Sequence, residues 1–177
     1  MHVHSRITAL GIAAACVAAV ASPTEAQQRR QVSVEFVTGH AGYIDESWDN
    51  RVVVGGLARV AMTPRLAVGP EVVYLHGPDG DHEWLVTGIA TYDLARLGPT
   101  RRFVPFVVLG AGLSRRSSLV GRGPDRPGLR PYSTVEPTAS GGVGVRIAIA
   151  RHFFASGDVR LGWEPERRLT VTLGWTR

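Results

Sequence analysis

The chain has 177 residues and a formal net charge of +5, and all 20 of its basic residues are arginine. Its one cysteine, Cys16, lies near the N-terminus, so the remainder has no disulfide, no cysteine–metal site and no thiol nucleophile. The most apolar stretch after the first 26 residues, Phe103 to Leu113, contains Pro105 and is about half the ~20 residues that a spanning helix needs, which excludes a helical membrane protein.

The opening segment reads as an address. Arg6 is followed by an Ala- and Val-rich run from Ile7 to Ala21, and small-residue cleavage sites occur at Ala19-Val20-Ala21 and Thr24-Glu25-Ala26. This pattern predicts a cleaved signal peptide over 1–26, with 27–177 as one domain. Cys16 is preceded by Ala13-Ala14-Ala15 and the apolar run continues past it, which argues against lipidation.

Turn-like clusters then divide the chain into eight segments of strand length: 32–41, 51–62, 66–76, 84–95, 102–114, 134–149, 152–163 and 168–176. Short connections follow segments 2, 4 and 6. Longer ones, Gly42–Asn50, Gly77–Glu83 and Arg115–Ser133, follow segments 1, 3 and 5. Several segments alternate with period two. Leu169, Val171, Leu173 and Trp175 share one parity, and Thr170, Thr172, Gly174 and Thr176 share the other. In segment 6, Val143, Val145, Ile147 and Ile149 oppose Gly142, Gly144, Arg146 and Ala148. In segment 7, Phe153, Val159, Leu161 and Trp163 oppose Ser156, Asp158 and Arg160.

On an up-and-down path the aromatics fall into two outward tiers. Tyr74, Trp84 and Trp163 lie near the end with long loops, and Tyr92, Phe103, Phe153 and Trp175 near the end with short turns. Aromatic tiers bracketing an aliphatic band mark a wall that faces lipid. Phe106 and Phe154 violate the parity, and segments 4 and 5 alternate poorly, with Leu85, Ile89, Val104 and Val108 on the inward side. Pro70 and Pro105 fall inside strands, where bulges or local bends are expected.

The chain resembles the small outer-membrane β-barrels of the OmpA-like and OmpX-like kind, the broad outer membrane protein β-barrel domain group. The resemblance is carried by T-P-R-L-A-V-G-P-E-V-V-Y (63–74), V-P-F-V-V-L-G-A-G (104–112), G-G-V-G-V-R-I-A-I (141–149), F-A-S-G-D-V-R-L-G-W (154–163) and the last strand. It implies an all-β, eight-stranded antiparallel up-and-down transmembrane barrel, exported through the periplasm to the outer membrane of a Gram-negative-type bacterium. Partners expected on that basis are outer-membrane lipid, lipopolysaccharide and the barrel-assembly machinery, which reads an aromatic at the chain end. Here Trp175 stands two residues before Arg177.

An eight-stranded barrel is just wide enough for side chains to fill, so a general pore is not expected. The inward parity collects Glu35, Arg59, Glu71, Asp93, Arg146, Asp158 and Arg160. Mixed signs in a packed interior predict pairing, with Glu35–Arg59 and Arg146–Asp158 on neighbouring strands. Among the external loops, Arg115, Arg116, Arg122, Arg126 and Arg130 stand against Asp125 alone, and guanidinium forks suit lipopolysaccharide phosphates. Asp79-Gly80-Asp81-His82-Glu83 lacks the spacing of a calcium loop, so no metal site is assigned. Ser114, Ser117 and Ser118 with His76 or His82 have no G-x-S-x-G context, so no catalytic residue and no cofactor are assigned. No basic motif with interleaved aromatics points to nucleic acid. The expected role is structural or surface-interacting, performed as a monomer: envelope organisation, resistance or adhesion. The alternatives are a lipid A-modifying enzyme and a soluble secreted ligand-binding barrel.

Overall fold

The computed structural model describes residues 31–43, 51–77, 81–95, 102–120, 130–163 and 166–177. The expected signal peptide lies outside them. Eight strands follow in chain order: β1 (Val32–Tyr43), β2 (Arg51–Ala61), β3 (Leu66–His76), β4 (His82–Asp93), β5 (Phe103–Val120), β6 (Arg130–Ala148), β7 (Phe153–Gly162) and β8 (Glu166–Thr176). Each pairs antiparallel with the next, and β8 pairs with β1 from Ser33↔Thr176 to Tyr43↔Glu166, closing the barrel. Closure leaves no sheet edge along the wall, and every residue's side is then set by parity.

The parity sorts the side chains as an inside-out core. Val34, Phe36, Val86, Leu109, Val143, Val159, Val171 and Leu173 stand exposed on the outer wall, while Glu35, Arg59, Glu71, Asp158, Arg160 and Arg168 are buried inside. The apolar inward residues of β4 and β5 are part of the design. Leu85 and Ile89 join Val37, Val53, Leu57, Val73 and Leu75 in one buried cluster. The lumen is therefore apolar mainly against β1 to β5, and polar or small against β6 to β8, where Gly142, Gly144, Ser156, Thr170 and Thr172 face in.

Of the bulges or local bends expected at the prolines, the register shows no bulge. Across β2 and β3 the register is unchanged on both sides of Pro70, from Leu57↔Glu71 to Val60↔Val68; the ladder simply skips the two intervening pairs, while Pro70 still pairs with Gly88 of β4. Pro105 sits one step beyond the last β4–β5 pair, Asp93↔Phe106, and its carbonyl accepts from the Leu94 N–H at 2.9 Å. In both cases the missing donor faces a place where the ladder is already interrupted or ending.

The Arg115–Ser133 stretch, expected as a loop, is mostly strand. β5 and β6 continue in register from Phe103↔Ile147 to Val120↔Arg130. β4 reaches only His82↔Ser117 along β5, and β7 only Ser140↔Gly162 along β6, so the pairs from Ser118↔Tyr132 to Val120↔Arg130 extend beyond both neighbours as a two-stranded ribbon. Ser and Val populate both arms, and the glycines and prolines of the connection lie between Gly121 and Gly128. Ala139 directs its carbonyl to Trp163 N, at 2.8 Å, on the β7 side. Alternation then turns the backbone groups of residues 131, 133, 135 and 137 toward that same side. Pro131 and Pro137 supply no N–H there, which blunts the one stretch of β6 that β7 does not cover.

Candidate functional site: the filled interior and the two rims

Three groups of charges occupy the lumen in order from the end carrying the termini to the end carrying the long connections. At the terminus end, Arg59 donates through Nε to Glu35 Oε1 at 2.6 Å, and through Nη2 to the same oxygen. Its Nη1 reaches Thr91 Oγ1 at 3.0 Å, and Ser33 Oγ donates to Glu35 at 3.1 Å. Arg146 pairs with Asp93, its Nη1 lying 3.1 and 2.9 Å from the two carboxylate oxygens.

That pair corrects an expectation. Arg146 and Asp158 do lie on adjacent strands, but the register sets Arg146 opposite Ser156 and Asp158 opposite Gly144. Arg146 instead lies 5.3 Å from the centroids of both the Phe106 and Phe154 rings, and reaches Asp93 on β4. The two parity-violating phenylalanines thus flank a guanidinium, an arrangement favoured by the ring quadrupoles. Glycines make room for them: Phe106 sits opposite Gly144 and Phe154 opposite Gly174, and a Cβ at either glycine would collide with the ring.

The middle group spans the lumen. Glu71 is 0 % exposed, and its Oε2 accepts from Arg160 Nη1 at 2.9 Å, Arg168 Nη2 at 2.7 Å and Thr87 Oγ1 at 3.3 Å. Arg160 also donates through Nε to Asp158 Oδ1 at 2.6 Å. β3 and β7 are four strands apart in a ring of eight, so the Glu71–Arg160 bridge ties opposite walls. Two acids and two bases balance one another, which is what permits their burial. Arg168 was legible as a member, because it shares the parity of Thr170 and Thr172.

The third group lies at the other end. Arg51 donates to Asp81 Oδ2 at 2.8 Å and to Glu83 Oε2 at 3.3 Å, Ser114 Oγ donates to Glu83 Oε1 at 2.6 Å, and Arg116 Nη2 donates to Asp81 at 3.1 Å. Sequence reasoning missed Arg51 and Glu83. The parity of Arg51 with Arg59 was an available signal; Glu83 was hidden because β4 begins at His82, two residues before its expected start.

The five arginines proposed for surface phosphates do not form one group. Arg115 and Arg116 are strand residues on opposite faces: Arg115 is exposed on the outer face beside Trp84, and Arg116 turns inward to Asp81. Arg130 begins β6, and Arg122 and Arg126 lie outside the described residues.

The interior is closed between these groups. Near the loop end, crevices of about 20 and 10 Å³ flank Thr138 and Gly162. At the terminus end a larger cavity of about 360 Å³ lies under the β2–β3 and β6–β7 turns, with Ser33, Arg59, Asp93 and Arg146 in its lining and the small inward residues Ala61, Ala67 and Ala148 leaving the room. Among the described residues no three His, Asp or Glu side chains are placed to hold a metal ion.

On the outer wall, Trp84 (48 % exposed) and Trp163 (85 %) lie toward the loop end, and Tyr92, Phe103, Phe153 and Trp175 toward the other, all exposed. Tyr74 packs against Trp84, with ring centroids 4.9 Å apart. Phe36 departs from the tiers; it is outward and exposed among the aliphatics, opposite Leu173.

No protein-family model matches the chain, and no curated protein matches it in sequence. Solved structures do match in shape. The N-terminal β-barrel domain of Pseudomonas aeruginosa OprF aligns with a TM-score of 0.59 at 17 % identity, over 84 % of this chain and 98 % of that one. Neisserial surface protein A aligns with a TM-score of 0.62 at 12 % identity, over 82 % and 95 %. Ail, the attachment invasion locus protein of Yersinia pestis, aligns with a TM-score of 0.51 at 12 % identity, over 83 % and 97 %. The closed eight-strand register and these alignments together give the chain the fold of the small outer-membrane β-barrels.

Proposed function

We propose that the protein is an integral outer-membrane barrel with both termini in the periplasm and its long connections outside the cell. Residues 1–26 direct its export and are removed. The observation that carries this reading is the inverted distribution of polarity: an aliphatic outer wall between two aromatic tiers, around a lumen filled with ion pairs. Such a wall in water would expose a continuous apolar belt, far beyond the patches that soluble monomers tolerate. This weighs against a soluble secreted ligand-binding barrel. The decisive experiment is fractionation with a gel-shift assay. The protein should resist carbonate extraction from outer membranes and migrate faster unheated than boiled; quantitative recovery as a soluble periplasmic protein would refute the assignment.

The role that fits this architecture is structural or surface-interacting, as a monomer and without catalysis. The Glu71–Arg160 bridge and the rim pairs fill the lumen, so diffusion of solutes is not its task. Ser114 turns inward to Glu83 while His76 stands on the outer face, so those two do not meet as the nucleophile and base of a lipid A-modifying hydrolase; Ser117 lies opposite His82 across the β4–β5 ladder, within reach of the Ser133 hydroxyl. Lipopolysaccharide phosphate is the proposed surface ligand, and Arg115 is the arginine whose position supports it, outward beside Trp84 at the loop-end interface. Arg115→Ser combined with Arg122→Ser and Arg126→Ser should weaken binding to phosphorylated lipid A but not to its dephosphorylated form. Arg116→Ser should leave binding unchanged.

A further inference from the structure

The two ends of the barrel differ in sign. At the loop end arginines are interleaved with Asp81, Glu83 and Glu136. At the terminus end, the turns 62–65, 94–102 and 149–152 carry Arg65, Arg96, Arg101, Arg102 and Arg151 and no acidic residue. Of these, Arg65 and Arg151 help to line the 360 Å³ cavity. The size falls within the range of about 300–1,000 Å³ typical of small-ligand sites, and barrel mouths are common places for them.

Inside, both acids carry an arginine partner, while Glu35 Oε2 is buried without one. Asp93, the acid in the lining, is held by Arg146, and Glu35 is held by Arg59. Arg146 lines the cavity with a guanidinium that Asp93 engages through Nη1. The rim arginines therefore add positive charge that nothing in the lining offsets. An anion with several acceptor oxygens matches a guanidinium donor below and two more at the mouth. The adjoining segment of the chain itself is a poor occupant, since Gln27-Gln28-Arg29-Arg30 would bring two further positive charges to a positive mouth.

We propose that this vestibule is a binding site for a phosphate group, presented either by a soluble phosphomonoester or by a lipid headgroup. Arg146 is its anchor, Arg65 and Arg151 its entrance, and the small side chains of Ala61 and Ala148 keep it open. The site stands without the membrane assignment; only the compartment it faces depends on that reading.

The test uses the full folded protein in zwitterionic detergent, titrated calorimetrically with inorganic phosphate and with glycerol phosphate, and in lipid discs of phosphatidylcholine with and without phosphatidylglycerol. Arg146→Gln should weaken binding at least about tenfold, the loss of one charge-assisted contact, and Arg146→Lys should recover part of it. Arg65→Ser with Arg151→Ser should lower affinity and flatten its salt dependence. Ala61→Leu with Ala148→Leu fills the cavity without changing any charge and should abolish binding while the heat-shift of the folded barrel persists. Binding of the soluble phosphates assigns the site to a free ligand. Binding seen only with phosphatidylglycerol, and lost in the cavity-filling variant, assigns it to a headgroup. Affinity for every probe that is unmoved by both Arg146→Gln and the filling variant, or no binding to any probe, would overturn the proposal. Because the titration is made in detergent, that result would leave the outer-membrane reading untouched.

Discussion

Two phenylalanines break the alternation of their strands, and each is matched by a glycine on the neighbouring strand. Phe106 over Gly144 and Phe154 over Gly174 point into the barrel and flank Arg146. The absence of a Cβ is what admits the rings. Gly174→Ala should therefore destabilise the barrel by about 1–3 kcal/mol through overpacking, read as a lower urea midpoint, and the added change Phe154→Leu should recover part of the loss. The Glu71 group sets a second residue-scale expectation. Glu71→Gln leaves Arg160 and Arg168 facing each other with Asp158 as their nearest acid, at a cost of about 3–5 kcal/mol for a broken buried pair. Removing both charges, as Glu71→Leu with Arg160→Met, should be milder than the sum of the single losses. Strict additivity in that double-mutant cycle would mean the bridge contributes nothing as a pair.

β5 and β6 serve two purposes along their length. Their lower halves are barrel wall, and the upper part of the hairpin, beyond Ser117↔Ser133, rises where neither β4 nor β7 pairs with it. Its contribution to barrel stability is correspondingly small. Replacing residues 118–132 by Asn-Gly between Ser117 and Ser133 supplies a tight two-residue turn, and stability should change by no more than about 0.5 kcal/mol. A loss of the compact unheated gel band would show that the ribbon supports the wall. Pro137→Thr restores a donor on the open side of β6, and the variant should form more dimer in detergent at high concentration, measured by light scattering. Proline there withholds a hydrogen bond from neighbouring chains.

The molecule as a whole is a cylinder whose solvent preference is reversed, and the parity of each strand can be probed from outside. Val145, opposite Gly157 midway along β7, and Leu173 are exposed on the aliphatic band of the outer wall. Arginine at either position should lower folding stability in lipid vesicles by about 2–4 kcal/mol, the cost of a guanidinium near the bilayer midplane. Equal folding of Val145→Arg and wild type would place that residue away from lipid. The filled lumen predicts a second whole-molecule property. In planar bilayers the protein should show no porin-like conductance, because opposite walls are joined through Glu71, Arg160 and Arg168; steady large channels would require that bridge to open.

Alternation in β6, β7 and β8 is enough to place every side chain in or out, because strand geometry has period two and no distant contact is needed to apply it. Eight segments, their order and the aromatic tiers were legible for the same reason. The inward charges Glu35, Arg59, Glu71, Asp93, Arg146, Asp158 and Arg160 were legible as a set, but their partners were not. Pairing depends on the register between strands and on which side chains reach across the lumen: Arg146 meets Asp93 two strands away, and Arg160 meets Glu71 on the opposite wall. The apolar inward residues of β4 and β5 looked like failed alternation, since both faces of these strands are apolar, one exposed on the outer wall and the other buried in the barrel. Local chemistry determined the strands and their faces; only closure of the barrel, which brings residues distant in sequence to within hydrogen-bonding distance, decided the ion pairs, the terminus-end vestibule and the reach of the β5–β6 ribbon.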